Sequence, residues 1–346
     1  PDITQVNDFQ CPTFNPGLQD PIKPENVIDS DKEKTYDVIV IGAGIAGLEA
    51  ANELDFEGMD NVMILETRDR IGGRVNTIHY ADTSFDLGAS WIHGVDMEYD
   101  SEGNMIGYNI TNPNQNPIYK IAYYNNIAVT PTNGSTALRY PSGDVDNYEL
   151  FDRMISNFEI YYENMTNTQP DHNYTFEKVL AEFTNNNTEC NEHKAMCNFA
   201  IISEYEFDQA GDIVDIPAES IGKTQYFNDL KEQEVIFPEG YNQIANCLAG
   251  GLNIKHATVT KINYVSSPIE ISTDRGIFEA NYVISTIPLG VLKKNMISLF
   301  DPPFEQNKTN SINNLKMGTL DKTYLIFDKE EVMKDPYWDE LNQEWA

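Results

Sequence analysis

Residues 38–41, Val-Ile-Val-Ile, form an apolar run without a polar break, the pattern of a strand covered on both faces. A glycine-rich turn follows, residues 45 to about 54 take helical spacing, and residues 61–65 form a second apolar run. Strand, helix and strand in that order predict a βαβ unit. Further along, residues 148–165, 176–183 and 192–207 repeat apolar side chains every three or four positions, as at Leu150, Met154, Phe158 and Tyr161. These stretches predict helices with core-facing stripes. Residues 320–327 alternate instead: Leu320, Lys322, Tyr324 and Ile326 share one face, and Asp321, Thr323, Leu325 and Phe327 the other, which predicts a strand. Residues 1–34 hold five prolines and many charges without periodicity, and read as an extended arm.

The turn of the βαβ unit reads Gly42-Ala-Gly44-Ile-Ala-Gly47. Gly42 permits the tight turn, Gly44 lets the backbone approach a pyrophosphate, and Gly47 lets the helix pack closely on the strand. Glu66 ends the second strand 19 residues after Gly47, where a carboxylate accepts the hydroxyls of a ribose and disfavours a 2′-phosphate. The glycines alone would fit an ordinary turn. Strand before, helix after and acid at that distance specify a dinucleotide. Arg68 and a second glycine bend, Gly72-Gly73-Arg74, follow directly, and a simple NAD site has no place for them.

This pair of motifs resembles the flavin-dependent amine oxidase family, in which the first unit holds the AMP half of FAD and the Gly-Gly-Arg segment continues along the pyrophosphate. The resemblance extends along most of the chain. Phe85-Asp-Leu-Gly88-Ala89-Ser90-Trp91-Ile-His93-Gly94 is similar to the segment beside the isoalloxazine, residues 238–249 to a glycine-then-helix element, and Thr258-Val259 to the strand whose valine backbone contacts the adenine. Residues 281–293 and 317–327 follow in family order, and residues 202–208 with 221–224 most resemble polyamine oxidases of the plant and fungal extracellular type.

The resemblance implies an α/β fold: a Rossmann-like FAD-binding domain of the amine oxidase, glutathione reductase-like type, with an interleaved α+β substrate domain. The FAD-binding domain is expected at 35–95 and 236–287, and the substrate domain at 96–235 and 288–346. FAD is the implied cofactor, lined by Gly42, Gly44, Gly47, Glu66, Arg68, Gly73, Arg74, Gly88, Ala89, Ser90, Trp91 and Val259. The implied reaction oxidises a C–N bond of an amine or polyamine by hydride transfer to flavin and reduces O2 to H2O2. In the family the lysine matching Lys322 is linked through a water to the flavin N5, and burial would lower its pKa for proton transfer or the oxygen step. A strand-end lysine reaching solvent is the plainer alternative. His93 resembles a substrate-side histidine of animal-type polyamine oxidases, against the alternative of a structural histidine. Asp96, Glu98, Asp100 and Glu102 fit either an acidic rim or a solvated loop. The family pattern continues beyond the lysine strand, whereas this sequence ends at Ala346. A longer chain or a second chain would then complete the flavin site, or the protein would be a non-catalytic secreted glycoprotein on the same fold.

Composition narrows the setting. The chain of 346 residues is too long for one ordinary core, and 23 basic against 55 acidic residues give a net charge of −32. That charge repels nucleic acid and anionic membranes and attracts cations such as polyamines, although a solvated acidic surface accounts for most of it. No stretch of 18 apolar residues is present, so no membrane span is expected. The five histidines are scattered without ligand spacing, so no metal site is expected. Glycosylation sequons occur at Asn109, Asn133, Asn164, Asn173, Asn186 and Asn307, mostly in a polar, loop-like region, and point to a secreted or lumenal protein, with a cytoplasmic one as the alternative. Cys11, Cys190, Cys197 and Cys247 allow three disulfide pairings or buried thiols. On one unbroken helix Cys190 and Cys197 would lie roughly 10 Å apart, so a bridge between them requires a break.

Overall fold

The computed structural model describes residue 11 and residues 20–81, 83–132, 139–140, 143–144, 148–168, 174–220 and 234–326. Its centre is an eight-stranded sheet in the order Glu25–Asn26, Ile254–His256, Val62–Glu66, Thr35–Ile41, Gly276–Ser285, Ile269–Thr273, Val259–Asn263 and Phe300–Asp301. The first five run parallel, Ile269–Thr273 turns back antiparallel, Val259–Asn263 reverses again to the first direction, and Phe300–Asp301 pairs parallel with it at the far edge. The Thr35–Ile41 strand is covered on both faces, as its unbroken apolar run requires. Val38 and Val40 enter one core beside Leu48 and Ala51 of the Ile45–Phe56 helix, while Tyr36, Ile39 and Ile41 enter the other beside Phe278, Leu299 and Ile312.

Packing draws parts of both expected substrate segments into the sheet cores. Met97, Tyr119, Ile121 and Ile127, expected in the substrate half, bury themselves in the first sheet core. Residues 289–314 do the same in the second through Met296, Leu299, Phe300 and Ile312. A boundary drawn from motifs marks where a signature stops, whereas an apolar stripe goes wherever a sheet face still needs covering. Within the expected arm, the described residues include two short elements. Asp29–Lys32 is a short helix, and Glu25–Asn26 edges the sheet, held by Lys255 Nζ at 2.6 Å from the Glu25 carboxylate.

A third core belongs to the helices Tyr148–Thr168, Phe176–Asn186, Thr188–Glu192 and Lys194–Gln209, around Met154, Phe158, Phe176 and Val179. The helix expected over 192–207 begins at Lys194, because His193 leaves helical geometry at φ −119° and ψ 45°. That break brings Cys190 and Cys197 to a Cα separation of 5.2 Å, and they form a disulfide. Cys11 and Cys247 form the second. Among the described residues none of the cysteines remains free.

Two expectations are corrected. Residues 316–326 contain no strand, and Leu320, Tyr324 and Ile326 are exposed; position 327 lies outside the described residues. Alternation sets which side chains share a face, but a strand also needs a neighbour for its N–H and C=O groups, and no described strand runs alongside. The sequon region is less loop-like than its polarity suggests. Asn164 lies within a helix and Asn186 ends another, both exposed, as is Asn307 on the Gln306–Asn314 helix. Asn109 sits half-buried in a loop, where the Thr111 hydroxyl donates to its side-chain oxygen at 2.9 Å; Asn133 and Asn173 lie outside the described residues. Among the described residues no helix is long and apolar enough to cross a membrane.

One of the tightest approaches in the fold is at Gly47, where a Cβ would lie 1.9 Å from the Gly42 carbonyl oxygen. Gly47→Ala is therefore expected to cost about 3 kcal/mol in urea or thermal unfolding. Gly58, at φ +83° with open space around it, is the control, and its alanine variant should lose only about 1–2 kcal/mol of left-handed strain. Equal losses would show that the close approach does not limit the packing.

Candidate functional site

The two glycine turns fold against each other. Gly42 takes φ +103°, its N–H donates to Leu65 O at 2.9 Å, and Gly44 caps the Ile45–Phe56 helix. Gly72 N–H donates to Ala43 O at 2.8 Å, which sets the second turn beside the first. A Cβ on Gly73 would lie 3.2 Å from Gly44 Cα, and one on Gly44 would meet only Gly73 Cα, at 3.9 Å. The pair leaves a side-chain-free cleft at a helix N-terminus, where amide dipoles favour an anion.

Glu66 is buried at the edge of this cleft. Its Oε2 accepts Ala43 N–H at 2.7 Å and its Oε1 accepts Arg68 N–H at 2.8 Å. A carboxylate has about four lone-pair sites, so each oxygen keeps capacity for a ligand hydroxyl. Arg68 and Arg74 are exposed, and neither forms a salt bridge among the described residues. Arg70, which sequence reading passed over, shapes the second turn: its guanidinium donates to Ile71 O, Val75 O and Gly73 O at 3.0–3.2 Å. Its only signal in sequence was its place two residues before Gly72. On the other side of Glu66, Ala257 N–H donates to Glu66 O at 2.9 Å and the Thr67 and Thr258 hydroxyls meet at 2.7 Å. The approach to Val259 thus runs along the end of the Val62–Glu66 strand.

A second group forms around Asp86. Its Oδ1 accepts the Thr77 hydroxyl at 2.5 Å and Tyr241 N–H at 3.0 Å, and Thr77 Oγ1 accepts Asn242 N–H at 3.0 Å. The carboxylate thus ties the segment after the Gly-Gly-Arg turn to the start of the Asn242–Ala249 helix. Burial pushes its pKa above the ordinary carboxylate range, opposed by the two hydrogen bonds and the Lys322 charge. Burial likewise pushes the Tyr241 phenol up to about 12. Gly88 lies against Arg74, where a Cβ would stand 1.8 Å from the Arg74 carbonyl oxygen, and Ala89 N–H donates to that oxygen at 3.2 Å.

Lys322 reaches into this turn. Its Nζ donates to Gly88 O at 2.5 Å, to Asp86 O at 3.2 Å and to the Ser90 hydroxyl, and sits 4.9 Å from the centre of the Trp91 ring. Burial lowers its pKa, and the Asp86 charge opposes the shift. The lysine therefore meets the expected Gly88–Trp91 segment although the expected strand is absent. His93 lies two residues on, so it shares a strand face with Trp91. Its Nδ1 pairs with the Glu234 carboxylate, directly opposite in the antiparallel Glu234–Ile236 strand. Glu234 had no signal in sequence, being 141 residues away. Asp96 and Asp100 behave as loop formers: Asp96 Oδ2 accepts Asn112 Nδ2–H at 2.6 Å, and Asp100 Oδ1 accepts the Glu102 and Asn104 amides.

Asp86→Ala should orphan the Thr77 hydroxyl and the Tyr241 amide, at a cost of about 2–4 kcal/mol in equilibrium unfolding. Asp86→Asn keeps an acceptor oxygen and should lose less than half as much. Similar losses in both variants would locate the effect in the charge rather than in the hydrogen bonds.

Known proteins resemble this chain along most of its length. Polyamine oxidase 2 of Arabidopsis thaliana is 30% identical over 327 residues, covering 86% of this chain and 60% of that protein. Polyamine oxidase 4 of Oryza sativa subsp. japonica is 29% identical over 313 residues, covering 84% and 59%. Lysine-specific histone demethylase 1B of Mus musculus is 26% identical over 301 residues, covering 84% and 34%. The chain thus spans about three fifths of the length of these plant relatives. The model of the flavin containing amine oxidoreductases matches residues 45–344, from the start of the glycine helix to well past Lys322. On that extent the chain belongs to the flavin containing amine oxidoreductase family.

Proposed function

We propose that this protein is an FAD-dependent polyamine oxidase, acting on a C–N bond of an amine with O2 as the electron acceptor and H2O2 as a product. The observation that carries the reading is Lys322 Nζ seated on Gly88 O, Asp86 O and Ser90 over the Trp91 ring, in the turn that packs on the Gly-Gly-Arg segment. FAD is the cofactor of the family, and the residues present fit it: the Gly44–Gly73 cleft has no side chain to exclude a pyrophosphate, and Glu66 retains acceptor capacity for a ribose diol. Two plant relatives bear the name polyamine oxidase, and the net charge of −32 favours the approach of a cationic substrate.

The chemistry FAD supplies when bound is acceptance of a hydride from the carbon beside a neutral amine, followed by reoxidation by O2. The chain's own groups bind, orient and move protons. The glycine cleft and helix N-terminus would hold the phosphates and Glu66 the ribose, while Arg70 keeps the second turn in shape. Lys322, with its pKa lowered by burial, exchanges a proton at Nζ more readily than a solvated lysine does. His93, paired with Glu234, offers a polar contact for the amine on the face it shares with Trp91. Secretion or a lumenal location is part of the proposal. It is supported by two disulfides, which persist in oxidising compartments, and by the exposed sequons at Asn164, Asn186 and Asn307. The non-catalytic alternative has no observation in its favour, since the cleft, Glu66 and Lys322 are all in place.

Glu66→Gln should weaken FAD retention by about 1–3 kcal/mol, read as flavin absorbance remaining after dilution and dialysis. Unchanged flavin content would remove the ribose assignment. Lys322→Met keeps the length and apolar packing and should slow flavin reduction or reoxidation by about 100-fold in stopped-flow measurements. In the unsubstituted protein the affected step should speed up as pH rises through a pKa below the ordinary lysine value of about 10.4, because the neutral amine is the active form. Wild-type rates in both half-reactions of Lys322→Met would make the lysine structural.

A further inference from the structure

Residues 316–326 carry Lys322 yet have no ladder partner among the described residues. Such a segment keeps its register only through side chains and single backbone bonds. One attachment precedes the lysine. Thr319 N–H donates to Ala210 O at 2.9 Å, and a Cβ on Gly318 would lie 2.0 Å from the same oxygen, so the two backbones touch. Lys316 adds an ion pair with Asp215 at 3.2 Å.

The other attachment follows the lysine. The Tyr324 hydroxyl donates to Asp86 O at 2.7 Å, and its ring meets Phe85 edge-on with centroids 5.0 Å apart. Asp86 O also accepts Lys322 Nζ, so residues two apart in an extended chain grip one carbonyl from the same side. That carbonyl is fixed in turn, because the carboxylate of the same residue is bound to Thr77 and to Tyr241 N–H. Leu320, Leu325 and Ile326 are exposed and have no polar group to share the task.

We infer that Tyr324 is a positioning residue for Lys322: its hydroxyl on Asp86 O and its ring on Phe85 set the register that seats the lysine amine on Gly88 O and Ser90. Nothing else in the segment beyond Lys322 holds it to the turn, among the described residues. The importance of this seat for turnover rests on the proposed role of Lys322, while the positioning itself is independent of that role.

The test uses the full chain. Tyr324→Phe keeps the ring and deletes the hydroxyl, and Tyr324→Leu removes both contacts. Lysines are acetylated with limiting acetic anhydride and the sites are quantified by peptide mass spectrometry, with exposed Lys294 as the internal reference. Lys322 should be labelled about fivefold faster in Tyr324→Phe, the factor for loss of one ordinary hydrogen bond, and faster again in Tyr324→Leu. In FAD-loaded protein the limiting rate of the lysine-dependent half-reaction should fall while the amine concentration giving half-maximal rate stays the same. Labelling at the wild-type rate in Tyr324→Phe overturns the inference, and that variant decides if the leucine variant fails to fold. Faster labelling with wild-type half-reactions upholds the positioning and overturns the proposed role of Lys322 instead.

Discussion

The close passage of the Ile45–Phe56 helix over the Gly42 carbonyl is the constraint on which the rest of the site depends. There is no room for a Cβ at Gly47, and the same spot receives Thr286, whose hydroxyl donates to Ile41 O at 2.8 Å. The central strand, the glycine helix that follows it and the end of the Gly276–Ser285 strand, far along the chain, are therefore fixed at one point. A helix seated this close points its N-terminal amides at the strand ends rather than past them. The second glycine turn then docks through Gly72, and Glu66 closes the edge by accepting Ala43 N–H.

Asp86 organises the second half of the site by the opposite physics. Burying a carboxylate costs several kcal/mol unless hydrogen bonds or a cation offset the lost hydration. Here a threonine hydroxyl and a helix-start amide satisfy it, and a half-buried lysine is close enough to pull its pKa back. The main chain of the same residue accepts from both Lys322 and Tyr324. Fold stability and lysine placement thus share one residue, and burial moves the pKa of Asp86 up and that of Lys322 down, toward each other.

The helical unit over 148–220 is built differently, from aromatic and aliphatic stripes stapled by a disulfide. Phe158 sits at its centre, with ring centroids 5.4–5.9 Å from Phe176, Phe183 and Tyr205. Its only described backbone links to the lysine segment are the Thr319 hydrogen bond and the Gly318 contact at Ala210.

The βαβ unit, its three glycines, Glu66 and the helical stripes were legible in sequence because each is local. Turn geometry, helix period and the distance from strand to strand are written in spacings of a few to about thirty residues. Lys322 was legible only through family resemblance, and the strand proposed for it was wrong because alternation carries no information about a pairing neighbour. The bond of Asp86 to Tyr241, the pairing of His93 with Glu234, the choice of Cys11–Cys247 and Cys190–Cys197, and the grip of Tyr324 on Asp86 join residues that no periodicity connects. Residues 97–127 and 289–314 likewise contribute side chains to the two sheet cores through contacts that the order of motifs does not specify. Spacing along the chain determined local backbone geometry and with it the glycine turns that line the cleft. Which distant groups meet was decided by the burial of apolar faces, and that is settled only when the whole chain packs.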